Sequence, residues 1–74
     1  MPHIVVKCYK GRSREELHDI AKKIAKSTAP AFGLKETSVS VSIEEIEKED
    51  WSKIYHDEIY KDKEKLFIEP GYKL

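Results

Sequence analysis

SVSVSIEEI, residues 38–46, is the stretch whose period decides the fold of this chain. Val39, Val41 and Ile43 alternate with Ser40, Ser42 and Glu44. A period of two turns successive side chains to opposite faces, as in a half-buried strand. The segment upstream, beyond the loop LKET, has another period. Leu17, Ile20, Ala21, Ile24, Ala25 and Thr28 recur at steps of three and four, the apolar stripe of a helix. Lys22, Lys23 and Lys26 take its wet side. Ser13 with Glu16 three residues later forms a capping box, hydroxyl to amide one way and carboxylate to amide the other. Pro30 has no N–H for the helix ladder. The pattern predicts a bent helix running to about Phe32, with Gly33 as its C-terminal cap.

Further towards the N-terminus lies HIVVKCY, residues 3–9, rich in β-branched and aromatic side chains. Ile4, Val6 and Cys8 fall on one face of a strand, and Val5, Lys7 and Tyr9 on the other. Val5 and Tyr9 make the second face partly apolar, so cover on both sides is expected, the second from a partner subunit. Gly11-Arg12-Ser13 is the turn between strand and helix. Strand, helix and strand make a βαβ unit of the α+β class, with parallel strands and a right-handed crossover expected. Downstream, Trp51, Ile54, Tyr55, Glu58 and Ile59 fit one or two short helices, with Asp50 at an N-cap position. Pro70-Gly71 marks a turn, and Tyr72 and Leu74 after it are more apolar than a frayed end requires.

The 74 residues form one domain, 1–74. A chain this short buries only about 60–65% of the surface that its unfolded form exposes, which leaves a marginal core. One cysteine, Cys8, allows no internal disulfide and reads as a strand residue in a reducing compartment. His3, His18 and His56 fall on no metal-ligand spacing. Self-association is the expected remedy. Fourteen basic and fourteen acidic residues balance to zero, which argues against a duplex nucleic-acid binder. No apolar run reaches the roughly 18 residues of a membrane span, and the N-terminus does not read as a signal peptide. The expected location is the cytoplasm, with no membrane or nucleic-acid partner.

Pro2 directly follows the initiator methionine. Once Met1 is removed, as expected in the mature protein, its nitrogen changes from a non-basic amide to a secondary amine that can take and give a proton. A free α-amine starts at a pKa of about 7.7–8.0, and desolvation or a neighbouring cation lowers it towards neutrality.

Pro2 opening a strand, Gly11-Arg12-Ser13 opening a helix and TSVSVSIEEI as second strand together resemble the 4-oxalocrotonate tautomerase family. The likeness runs without an obvious gap from Pro2 to about Trp51. The opening PHI, the KC of the first strand, Trp51 and the closing PGY look most like its longer, PptA-type bacterial branch. The resemblance implies a β-α-β subunit of the tautomerase fold with short C-terminal helices, its sheet completed by dimerisation. A homodimer is expected for the longer branch, with a hexamer as the alternative.

It also implies a cofactor-independent enol–keto isomerase with Pro2 as general acid and base. Arg12 would be the cation beside the proline, holding a substrate carboxylate through paired hydrogen bonds and stabilising enolate charge. Trp51 stands where the family carries an aromatic wall. One position departs. Dicarboxylate-using members have a second arginine on the second strand, where this chain has Ser40. A neutral hydroxyl binds more weakly than a charge-assisted pair, so the expected substrate is the enol of a 2-oxo monocarboxylic acid such as phenylenolpyruvate. Arg14 or Lys35 is the candidate replacement for the missing charge. The alternatives are a non-catalytic dimeric binding module of this fold, or a variant that hydrates or dehalogenates its substrate with the same proline.

Overall fold

A computed structural model describes residues 1–74. Strand β1 spans His3–Tyr9, helix α1 Arg14–Ala31, strand β2 Ser40–Ile46 and the short helix α2 Trp51–Ile54. β1 and β2 pair in parallel, His3 opposite Ser40 through to Tyr9 opposite Ile46. This is the expected βαβ unit.

Local chemistry sets the ends of α1. Ser13 Oγ accepts from the amide of Glu16 at 3.1 Å, and the Glu16 carboxylate accepts from the Ser13 amide at 3.0 Å. The helix continues through Pro30 to Ala31, with Phe32 as its C-cap. Beyond it, the Gly33 amide donates to Pro30 O at 3.1 Å and the Leu34 amide to Ala29 O at 2.8 Å. That pair of bonds is the Schellman motif, and it requires the left-handed φ of +68° that Gly33 adopts.

β2 starts two residues later than its alternation predicts. Glu36–Ser38 form a 3₁₀ turn, and the amide of Val39 is spent on Glu36 O at 3.0 Å. Within the strand the expected alternation holds. Val41 and Ile43 are half-buried, and Ser40, Ser42 and Glu44 are exposed.

The register sets Ile4, Val6 and Cys8 beside Val41, Ile43 and Glu45 on one face, where Leu17 and Ala21 of α1 approach Val41 and Ile43. The other face receives the chain's own C-terminal segment. Trp51, Ile54, Glu58 and Ile59 enclose a cleft with Val5 and Lys7. This cover, expected from a partner subunit, is partial, since Val5 remains 58% exposed.

The C-terminal segment runs as one helical stretch: a 3₁₀ turn at Lys48–Asp50, α2, and a π-helical turn at Tyr55–Ile59. Asp50 makes no side-chain capping bond, because helical backbone already passes through it at φ −93° and ψ −2°. Lys7 is paired with Glu44 of β2 at 3.5 Å and with Glu58 of the π-helical turn. The hydrogen bond to Glu58 is the main reason that Lys7 is held above its ordinary pKa.

Only Ala29, Ile54 and Tyr55 are buried, too small a core for a chain of this length to rely on alone. Phe67 and Ile68 stand 94% and 90% exposed.

Candidate active site

Four side chains carry the chemistry expected from the sequence, and the fold sorts them into two places. Pro2 and Ser40 lie together at the N-terminal end of β1, where the Ser40 amide donates to the Pro2 carbonyl at 3.2 Å. Ser40 Oγ is 2.7 Å from His3 Nδ1, so His3 joins this end through Ser40. Pro2 is half-buried and Met1 ahead of it is fully exposed.

Arg12 and Trp51 meet at the other end. The turn that carries Arg12 is set by Gly11, whose φ of +138° lies outside the range of ordinary side-chain-bearing residues. Glu45 of β2 holds this turn from beneath, its carboxylate accepting from the amides of Gly11 at 3.0 Å and Arg12 at 3.4 Å. The turn brings Arg12 to a cavity of about 410 Å³ walled by Tyr9, Trp51, Tyr72 and Leu74, with Lys7 and Cys8 at its base. Trp51 is pinned from two sides. Its ring meets Tyr9 edge to face at 5.3 Å and 87°, and its indole N–H donates to the Tyr72 hydroxyl at 2.9 Å.

Charge in this cavity is unevenly committed. Lys7 is neutralised by Glu44 and Glu58, whereas Arg12 takes part in none of the ion pairs. An unpaired guanidinium beside three aromatic rings suits a planar anion, with a carboxylate on the cation and a flat body against the rings. Arg14, weighed as a substitute for the missing second arginine, lines a different cleft between α1 and β2. No group of three or more His, Cys, Asp and Glu side chains comes together as a metal site.

The separation of the two ends matters most. Cys8 lies six steps along extended strand from Pro2, a span of about 20 Å at 3.3 Å per residue. Pro2 and Arg12 of one chain therefore cannot act on one small substrate.

Glu45, Tyr9 and Tyr72 were not singled out as site residues from sequence. For Tyr72 a signal existed, the apolar side chains after Pro70-Gly71. For Glu45 there was none, since its role is to receive amides 33 and 34 residues away.

Comparison with known proteins identifies the family. The model of the tautomerase enzyme family matches residues 2–58. A probable tautomerase of Xylella fastidiosa strain 9a5c is 36% identical over 73 residues, 97% of this chain and 89% of that protein. The tautomerase PptA of Enterobacter sp. strain 638 is 32% identical over 76 residues, all of both chains. The PptA of Escherichia coli O127:H6 is 31% identical over 75 residues, again all of both. A parallel βαβ unit opened by Pro2, matched along nearly its whole length by these proteins, belongs to the tautomerase family of isomerases.

Proposed function

We propose that this chain is a cofactor-independent enol–keto tautomerase acting on the enol of a 2-oxo monocarboxylic acid such as phenylenolpyruvate, at a site built by two copies. The observation that carries the reading is the placement of Pro2 and of the Arg12–Trp51 cavity at opposite ends of β1. The sheet has two strands, so one edge of β1 is unpaired. A second copy of β1 laid antiparallel along that edge brings the Pro2 of each chain to the Arg12 end of the other, giving two equivalent sites about a twofold axis. The exposed Val5 and the small core favour such cover. No helix is long and apolar enough to cross a membrane, and the cytoplasm is the proposed location.

With Met1 removed, the Pro2 nitrogen is a secondary amine. It takes the proton of the enol hydroxyl while the oxygen's electron pair forms the carbonyl, and the carbon–carbon double bond takes a proton at C3 from the resulting ammonium. One proton leaves oxygen, one reaches carbon, and the amine is restored. Arg12 of the partner holds the carboxylate by two parallel hydrogen bonds, and its charge opposes the negative charge that builds on the oxygen. Trp51 and Tyr9 exclude water, which favours the neutral amine. Ser40 beside Pro2 offers one neutral hydroxyl where dicarboxylate-using members have an arginine.

The test is ketonisation of phenylenolpyruvate by protein whose intact mass shows that Met1 is gone. Pro2→Ala is expected to lower kcat/KM by about a hundredfold or more with the oligomer unchanged. An unchanged rate would overturn the proposal.

A further inference from the structure

The Arg12 cavity holds one polar group whose hydrogen bonding is half used. The Tyr72 hydroxyl accepts the indole N–H of Trp51 at 2.9 Å. An indole nitrogen only donates, and a phenol oxygen both accepts and donates. The bond therefore occupies an acceptor position and leaves the Tyr72 proton with no protein acceptor. The ring below it is held in place, tilted 44° against Tyr55 with centroids 5.7 Å apart, and Tyr55 is buried. The hydroxyl thus has a set position in the cavity that Arg12 also lines.

We propose that Tyr72 is a specificity-determining residue of the cavity, its hydroxyl donating to the carboxylate that Arg12 holds while it fixes the indole of Trp51 against the substrate's flat face. The inference rests on the reading above, in which this cavity receives an aryl-bearing carboxylate. Its chemical consequence is preference. A ligand with a carboxylate satisfies both the guanidinium and the free phenol proton. A neutral alcohol of the same shape offers one uncharged acceptor oxygen in place of the carboxylate, and so satisfies the two donors less well.

Trp51 is the sole tryptophan, so its fluorescence in the full chain reports this cavity directly. The probes are 3-phenylpropionate and its neutral counterpart 3-phenylpropan-1-ol, neither of which can tautomerise. Tyr72→Phe keeps the ring and removes the hydroxyl. It is expected to weaken 3-phenylpropionate about tenfold and 3-phenylpropan-1-ol by less than about twofold. The alcohol serves as the control for an intact cavity. Equal weakening of both ligands, or of neither, overturns the proposal, as does a wild-type chain whose fluorescence ignores 3-phenylpropionate. The outcomes separate from those of the tautomerase reading. Ketonisation lost in Pro2→Ala with an indifferent Tyr72→Phe refutes this inference alone. A selective Tyr72 effect in a chain without ketonisation refutes the other alone.

Discussion

Replacing Pro2 by alanine in one preparation and Arg12 by alanine in another gives two chains that should each be nearly inactive. Pro2→Ala loses the secondary amine. Arg12→Ala loses a pair of charge-assisted hydrogen bonds, each worth about 1.5–3 kcal/mol, so at least a hundredfold in kcat/KM is expected at 1.36 kcal/mol per factor of ten. The two variants are mixed in denaturant and refolded together. Random pairing makes about half of the dimers mixed. In a mixed dimer one site combines both substitutions and the other combines the intact Pro2 of one chain with the intact Arg12 of its partner. Half of the sites in half of the dimers are whole, so activity should recover to about a quarter of wild type. The roughly 20 Å between Pro2 and the Arg12 end of one strand is what makes this result differ from a site within one chain, for which mixing restores nothing. The assay is phenylenolpyruvate ketonisation before and after mixing, with native mass spectrometry counting the mixed dimer. Mixed dimers without recovered activity would refute the two-chain site.

Two further outcomes follow from the start of α1. Ser13→Ala removes the hydroxyl half of the capping box and is expected to cost about 1 kcal/mol, a fall in Tm of roughly 4–8 °C for a domain of this size, measured by circular dichroism at fixed protein concentration. The Glu16 carboxylate is held below its ordinary pKa of 4.5, first by the Ser13 backbone amide, then by the Ser13 hydroxyl, with Arg12 adding a smaller pull. A depressed folded-state pKa stabilises the fold above the unfolded value and ceases to do so as pH falls through the depressed one. The Tm advantage of wild type over Glu16→Gln should therefore be full at pH 6 and shrink below about pH 4.5; a gap that stays constant to pH 3 would mean that the carboxylate charge contributes nothing.

Legibility from sequence followed the range of the forces. The period of two in Val41–Ile43 and the three-and-four spacing from Leu17 to Thr28 reflect which face of an element meets its neighbours, so strands and helix could be read directly. The capping box and the glycine end of α1 lie within a few residues and were legible for the same reason. Where the local pattern misled, a competing local bond explains it: Val39 alternates with the strand, yet its amide belongs to the 3₁₀ turn. Asp50 is a good capping residue without a helix start to cap.

The sequence by itself determined the parallel βαβ unit, the ends of its helix and the proton-shuttle candidate Pro2, since side-chain type and short-range spacing carry these, whereas an aromatic wall for Arg12 was implied only by the family resemblance. The tertiary structure alone decided that Glu45 holds the Arg12 turn, that the C-terminal segment covers part of the second sheet face, that Tyr72 pins Trp51, and that Pro2 lies a strand's length from the cavity it is proposed to serve. Those are meetings of residues separated by tens of positions. Only the packing of the elements brings such residues together or keeps them apart, and in this chain the strand that carries the proposed proton shuttle is long enough to keep it from its own arginine.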